Sequence, residues 1–268
     1  MTFLAVRLGT VSICGCITLS APGVFAQPFD AVRLHAAEPG KDGGTLSAVV
    51  VAGTAYQGSD KRRTLVLPVL DYQWVNGWFA GLSNGIGYNF SGSPQMQYGL
   101  RLTADLGRKE NRANALHGMG DIDAAAEGGA FFNYSLSPSL FVTSSMRYGA
   151  GVNRNGLVVD IGAGYSTAFA SRWRLGVGTA ITMANADYMQ SYFGVTPAQS
   201  TTSGYVAYKP SAGARDVRAN IALTYSVDRR TAVTTALSAS NLLSVARDSP
   251  LARRRTAASG VLAVSYAF

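Results

Sequence analysis

The chain has 268 residues, a formal net charge of +8 and two cysteines, Cys14 and Cys16, both in an apolar N-terminal segment. Its length suits one large all-β domain or two small ones. A basic exported protein meets anionic lipids and cell-wall polymers, and no nucleic-acid-binding motif follows residue 26, which argues against a nucleic-acid partner. The absence of cysteine after residue 26 excludes disulfides, thiol catalysis and Cys-ligated metals there.

Residues 1–26 are predicted to be a cleaved secretory signal peptide. Arg7 precedes an apolar run, and Val24 and Ala26 occupy the positions that a signal peptidase reads. A membrane anchor is the alternative, but the run is interrupted by glycine and proline and is shorter than the roughly 20 residues of a spanning helix. Lipidation at Cys16 is the alternative to cleavage after Ala26. Residues 27–44 are predicted to be a flexible periplasmic leader, and 45–268 the folded domain.

Nearly every segment after residue 44 alternates apolar and polar residues, which indicates β-strands. The clearest case is 216–228, where Val217, Ile221, Leu223 and Tyr225 share one face. Eleven clear strands lie at about 45–57, 63–74, 78–90, 96–106, 122–134, 139–150, 156–168, 172–183, 216–228, 231–243 and 256–268. The poorly patterned segment 203–213 is predicted to hold a twelfth.

One face of these strands is apolar and aromatic, and the other is rich in Gly, Ala, Ser and Thr. Small residues cannot fill the core of a soluble barrel, whereas a membrane barrel requires an apolar exterior and a small or polar lumen. The predicted fold is an all-β, antiparallel transmembrane β-barrel of about 12 strands, with 10–14 possible, having short turns on one side and longer loops on the other. The ending Tyr266-Ala267-Phe268 is similar to the terminal signal of bacterial outer-membrane proteins, so the predicted location is the outer membrane.

A twelfth strand is expected because bacterial single-chain barrels have an even number of strands. The side of the membrane that each loop faces depends on where this twelfth strand lies. With that strand in 203–213, the segments 108–121 and around Asp187 face the periplasm; with the strand elsewhere, they face outside. The C-terminal topology places the loop that contains Arg253 outside.

Charged residues on the inward face form the first candidate site. Their mixed signs on neighbouring strands predict cross-strand ion pairs that fix the register and fill part of the lumen, with a narrow solute path as the alternative. The candidate lumen charge network comprises Arg101, Asp105, Asp123, Glu127, Arg147, Asp160, Arg174 and Arg218.

The segment 187–200, DYMQSYFGVTPAQS, is too long and too aromatic for a simple turn. Loops of this kind are usually functional or folded onto the scaffold. The sequence leaves open whether it plugs the lumen or binds a partner. The candidate residues are Tyr188, Gln190, Tyr192, Phe193 and Gln199.

Three basic clusters stand at strand ends: 61–63, 229–230 and 253–255. Ordinary anchoring to lipid head groups accounts for clusters in such positions. Because the loop that contains them is expected to face outside, Arg253, Arg254 and Arg255 are predicted to contact lipopolysaccharide phosphates.

Catalysis has one candidate, His117, which lies near Asp121 and Asp123. A lone histidine in a loop is more often solvated than catalytic, and a second imidazole or a dense carboxylate cluster for a metal is missing. We therefore predict a protein that is not an enzyme and that needs no cofactor or metal.

Several motifs, in their order and spacing, carry a family resemblance. They are Tyr56-Gln57-Gly58 with Pro68 and Tyr72; Gly120-Asp121-Ile122-Asp123 with Glu127 and Gly128; Ser191-Tyr192-Phe193-Gly194-Val195 with Gln199 and Ser200; Asp248-Ser249-Pro250-Leu251; and Tyr266-Ala267-Phe268. Together, over about residue 45 to the end, they resemble the MipA/OmpV family of MltA-interacting outer-membrane proteins. The resemblance implies a non-enzymatic scaffold that holds a periplasmic lytic transglycosylase near a murein synthase; a narrow pore, or an uptake or adhesion protein, is the alternative.

Overall fold

The computed structural model describes residues 41–268, so the predicted signal peptide and most of the leader lie outside the described residues. Twelve strands close into one antiparallel barrel, in which consecutive strands pair and β12 pairs with β1. The predicted fold is confirmed. The strands are β1 (Gly43–Thr54), β2 (Arg62–Gln73), β3 (Trp78–Gly81), β4 (Gly85–Asn89), β5 (Met96–Asp105), β6 (Ala125–Ser135), β7 (Leu140–Ala150), β8 (Gly156–Ala170), β9 (Trp173–Ala184), β10 (Gly213–Ser226), β11 (Thr231–Leu242) and β12 (Thr256–Ala267).

The twelfth strand is not where the sequence predicted it. Segment 203–213 contains no strand; only an isolated bridge joins Tyr208 to Val195. A strand there has no place in the sheet, because β9 and β10 pair directly from Gly213 opposite Ala184. The additional strand comes instead from 78–90, which a tight turn at 82–84 divides into β3 and β4.

The two ends of the barrel differ in the length of their connections. At the end where β1 begins and β12 ends, the five connections are short turns at 74–77, 90–95, 136–139, 171–172 and 227–230. We call this the turn end. The opposite, loop end carries the long segments 106–124, 185–212 and 243–255, together with 55–61 and the short turn 151–155. Because the twelfth strand lies before these segments, 108–121 and the region around Asp187 are both at the loop end.

Short helices occur in the long segments. α1 (Ala186–Phe193) and α2 (Pro197–Ser203) lie between β9 and β10, and α3 (Ser244–Arg247) follows β11. Two single-turn 3-10 helices, Glu110–Arg112 and Asn114–Leu116, lie between β5 and β6. None of the α-helices within residues 41–268 has the length and apolar content that crossing a membrane requires.

The exterior of the barrel is apolar, as the alternation predicts. On β5, Leu100 and Leu102 are exposed, while Gly99 and Arg101, which alternate with them, are buried. Outward aromatic residues concentrate at the turn end, where Trp173 packs on Tyr225 with ring centroids 4.8 Å apart. Aromatic residues at the interface and an apolar band above them are the exterior that a lipid bilayer requires.

Candidate functional site

The long segments at the loop end pack against one another and against the rim, and we call them the cap, which we define as segments 55–61, 106–124, 185–212 and 243–255. Its centre is α1, whose start the sequence specifies locally: the side chain of Asn185 accepts a hydrogen bond from the Tyr188 amide. α2 begins with a complete capping box, since Thr196 and Gln199 exchange side-chain to backbone bonds and Pro197 occupies the first turn. This pattern was readable in the sequence, yet the segment was predicted as a loop without helices.

α1 presents its apolar side to the barrel mouth. Met189 is fully buried, and Phe193 is 1% exposed in a cluster with Val158, Leu242 and Ala246. These partners belong to β8, β11 and α3, so the helix packs against three separate parts of the rim. Burying two large apolar side chains at one site stabilises this position by several kcal/mol, at about 1.5–3 kcal/mol for each.

Two tyrosines of α1 fasten it to charged groups at the rim. Tyr188 accepts a hydrogen bond of 2.8 Å from Arg215 Nη1 and stacks on Tyr192 at 4.6 Å between ring centroids. The Tyr192 hydroxyl donates a hydrogen bond to Asp105 Oδ2, and the Tyr192 carbonyl accepts one of 2.8 Å from Arg108 Nη1. Burial raises the pKa of both phenols, and Asp105 adds to the rise for Tyr192. Both phenols are therefore neutral donors or acceptors at physiological pH.

The motif segments identified in the sequence contact one another in this cap. Tyr56 donates its hydroxyl to the Leu251 carbonyl at 2.9 Å, and Ser249 donates to the Phe193 carbonyl at 2.6 Å. Gln199 Nε2 donates to the Met119 carbonyl at 2.6 Å, which ties α2 to segment 106–124. Burial raises the pKa of Tyr56 to about 12, so the phenol keeps its proton and this bond. Segments that are far apart in the chain thus hold one another in place.

Beneath the cap, a chain of buried ion pairs crosses one wall of the lumen; we call it the lumen ion-pair chain. Arg147 Nη1 lies 3.0 Å from Glu127 Oε2, and its Nη2 lies 3.4 Å from Asp160 Oδ2. Asp160 Oδ1 is 2.8 Å from Arg218 Nη2, and Arg218 Nε is 2.8 Å from Asp216 Oδ1. The pairs join β6, β7, β8 and β10, and Thr182 of β9 donates to Asp160 between them.

The chain continues to the cap through two residues that the sequence did not identify. Asp216 Oδ2 lies 2.5 Å from Arg215 Nε, and Arg215 is the residue that donates to Tyr188 of α1. Strict alternation cannot place two consecutive side chains on the inner face. A β-bulge between Ala214 and Asp216 does so here, and nothing in the sequence signals it.

The other four predicted lumen charges have different surroundings. Arg101 is buried and donates to Ser145 Oγ at 2.7 Å, whereas Asp105 lies at the rim beneath α1. Arg174 faces inward near the turn end without an ion pair to any residue in 41–268. Asp123 differs from the prediction: it lies in the loop before β6, its side chain is 82% exposed, and it pairs with Lys109. Alternation fails there because the strand begins only at Ala125.

The remaining predicted site residues are also at the loop end. Gln190 is half-buried against Gly194, and Arg253 lies over the Tyr205 ring at 5.9 Å. The side chains of Arg253, Arg254 and Arg255 are exposed, and the Arg254 amide donates to the Gly58 carbonyl. The sequence also missed Arg108, a buried cation whose pKa is lowered by burial.

His117 does not assemble a catalytic group. Its imidazole is 85% exposed and lies 3.4 Å from Glu110 Oε1, whose carboxylate also accepts from the amides of Gly118 and Gly120. Asp121 instead pairs with Lys109 at 3.0 Å. Within residues 41–268, no three His, Cys, Asp or Glu side chains are grouped so that they could hold a metal ion.

A family model described as "MltA-interacting protein MipA" matches residues 46–268. The chain belongs to the MipA family. The match covers the whole barrel except the start of β1, before residue 46. The family, together with the lipid-facing exterior, identifies an outer-membrane β-barrel protein. None of the curated proteins compared with the chain is similar enough to count as a relative.

Solved structures of similar architecture are distant in sequence. The KdgM porin is 9% identical with a TM-score of 0.46, and the match covers 84% of this chain and 99% of the porin. The NanC porin is 10% identical with a TM-score of 0.45, covering 82% and 98%. The outer-membrane channel DcaP of Acinetobacter baumannii is 10% identical with a TM-score of 0.42, covering 85% and 96%. Similarity at this level carries no inference about transport.

Proposed function

We propose that this protein is a non-enzymatic outer-membrane scaffold for murein synthesis and remodelling enzymes, with the cap outside the cell and the turn end in the periplasm. The observation that carries the proposal is that the long segments contact one another and the rim at one end of the barrel, which leaves only short turns at the other end. Outer-membrane barrels have short periplasmic turns and longer extracellular loops, which gives the orientation.

This proposed orientation favours one of the two roles considered for segment 187–200. A periplasmic enzyme cannot reach a segment on the outer surface, and Tyr188 and Phe193 are already buried against the rim. We therefore assign α1 to closing the barrel mouth rather than to binding a periplasmic partner.

The family description names an interaction with MltA, a lytic transglycosylase, and the expected partners are an enzyme of that kind and a murein synthase. The turn end offers such a partner a basic surface formed by Arg172, Arg229 and Arg230. The turns that carry it are adjacent, because the Ser226 amide donates to the Arg172 carbonyl. Exposed charges of this kind steer and orient a partner rather than provide most of the affinity.

Charge reversal of Arg172, Arg229 and Arg230 to Glu should reduce binding of a purified periplasmic lytic transglycosylase about tenfold, equivalent to about 1.4 kcal/mol. The measurement is a binding titration of the transglycosylase against the full protein in nanodiscs, with folding checked by heat-modifiable electrophoretic mobility. Reversal of Arg253, Arg254 and Arg255 at the other end is the matched control and should leave binding unchanged. An equal loss of affinity in both variants, or no loss in either, would contradict a turn-end contact.

On the outer surface, we propose that Arg253, Arg254 and Arg255 bind lipopolysaccharide phosphates. Their exposure and their place at the loop end support a contact with anionic head groups. Substitution of all three by Gln should reduce the lipopolysaccharide that co-purifies with the protein by at least half, measured by phosphate and fatty-acid analysis. The Arg229→Gln, Arg230→Gln variant is the control, and lipid content equal to that of the control would contradict the contact.

A narrow pore is the second candidate function. The inward-facing polar groups of the lumen ion-pair chain favour it, since they could line a path for water and small solutes once the cap opens. Electrical conductance separates this candidate from the scaffold.

A further inference from the structure

The barrel wall has a gap between β2 and β5 in its loop-end half. β2 has twelve residues, but only Asp71, Tyr72 and Gln73 pair with β3. Among residues 41–268 no strand pairs with this edge of β2 above Leu70, whose carbonyl accepts from Leu82. Two full-length strands are thus replaced by the short β3–β4 hairpin. With strands about 4.8 Å apart, the edges of β2 and β5 are separated by about 14 Å above that hairpin.

This gap is a bounded window in the wall. Its lower border is the turn at 82–84, which is held because Ser83 donates to Asp71 and the Asn84 carbonyl accepts from Arg101 Nη1 at 3.5 Å. At the loop end, Leu116 of the 3-10 helix Asn114–Leu116 packs on Ala55 and Tyr56, so segment 106–124 reaches from the end of β5 to the connection between β1 and β2. The window therefore lies in the lipid-facing wall, between the turn at 82–84 and the cap.

The surfaces around the window are apolar on both sides of the wall. Val66 and Leu82 point outward and are 70% and 74% exposed, while Leu67 points inward and is still 44% exposed. Behind Leu67, apolar side chains continue along the inner faces of three adjacent strands. They are Val49 and Val51 of β1, Leu65, Leu67 and Val69 of β2, and Val261 and Ala263 of β12.

The edge of β2 also offers backbone groups for hydrogen bonding. Because the Leu70 carbonyl points toward β3, alternation places the backbone groups of Thr64, Val66 and Pro68 on the same side. Unpaired backbone groups in lipid cost several kcal/mol each, so an occupant with amides or hydroxyls is favoured over a plain hydrocarbon. Above this edge, Lys61, Arg62 and Arg63 form an exposed basic cluster, close to an anionic head group of such an occupant.

We propose that the window binds an acyl chain of lipopolysaccharide from the outer leaflet, with its phosphates on Lys61, Arg62 and Arg63. Lipopolysaccharide combines the required features: phosphates, amide-linked chains and hydroxyl groups on those chains. The proposal uses the orientation given under the proposed function and is independent of the scaffold role, because loss of enzyme binding at the turn end would leave the window unchanged.

The test uses single-cysteine variants of the full chain in a background with Cys14→Ser and Cys16→Ser, labelled with bimane and reconstituted in vesicles of brominated phosphatidylcholine. V66C, which faces outward, and S238C, which faces inward on β11 away from the window, are the two controls. We expect L67C to be quenched nearly as strongly as V66C and S238C to be unquenched. L65C replaces L67C if the latter does not fold.

Lipopolysaccharide added to the vesicles should relieve the quenching of L67C at least twofold by displacing the brominated lipid. That relief should disappear when Lys61, Arg62 and Arg63 are changed to Gln, and persist when Arg229 and Arg230 are changed to Gln. Quenching of L67C no greater than that of S238C would overturn the window. Quenching that appears only after deletion of residues 27–40 would also overturn it, because lipid would then not reach the window in the full chain. Quenching that lipopolysaccharide does not relieve would overturn the assignment of the occupant.

Discussion

Replacing Asp160 with Asn should lower the free energy of unfolding by about 3 kcal/mol, because it removes the buried anion that two partly buried arginines share. Asp160 lies against Arg147 on one side and Arg218 on the other, and its side chain is almost fully buried. Asn keeps the shape and part of the hydrogen bonding, so the effect isolates the loss of charge. The measurement is urea unfolding of the protein in lipid vesicles, followed by tryptophan fluorescence.

Asp123 provides the matched control, since the sequence predicted the same lumen position for both carboxylates. Asp123→Asn removes an exposed pair with Lys109 and should leave the unfolding free energy unchanged within error. A second step removes one of the stranded cations: Asp160→Asn combined with Arg218→Gln should recover part of the loss. Equal stability of the two single variants would show that the lumen ion-pair chain does not stabilise the barrel.

The barrel could be predicted from the sequence because its signal is local. The alternation within each strand indicates which of its residues face lipid and which face the lumen, as for Leu100 and Leu102 on either side of Arg101. Twelve strands close into the barrel, as predicted. The twelfth strand was misplaced because β3 and β4 have only four and five residues, too few for a clear period. In 203–213, Tyr205 and Ala207 imitate one alternation, although the Tyr208 backbone bonds to Val195 and not to a barrel strand.

The cap could be recognised but not assembled from the sequence. Its motif segments were identified, yet the bond from Tyr56 to Leu251 spans 195 positions, and no local pattern gives such a pairing. Arg215 was missed because a bulge turns it inward, and Asp123 was assigned inward because alternation was extended beyond the strand. The window was invisible for a related reason: an unpaired strand edge depends on the length of its neighbours, not on its own residues.

Replacing residues 185–212 with a four-residue Gly-Ser linker should convert a silent protein into one that carries steady current in a planar lipid bilayer. The replacement is sterically reasonable, because Ala184 and Gly213 are already paired at the ends of β9 and β10 and a short hairpin can join them. It removes α1, and with it the bond that Arg215 donates to Tyr188 and the bond that Tyr192 donates to Asp105, which hold the cap to the rim.

The same linker in place of residues 91–94 at the turn end is the control, since it changes a loop without touching the cap, and it should stay silent. Current through the unmodified protein that equals that of the 185–212 replacement would show that the cap does not close the barrel and would favour the pore. Silence of both replacements would place the barrier in the lumen itself, below α1. Only a current confined to the 185–212 replacement is consistent with a barrel whose cap is the barrier. The lumen ion-pair chain is present in every variant, so it cannot account for a difference in current between them.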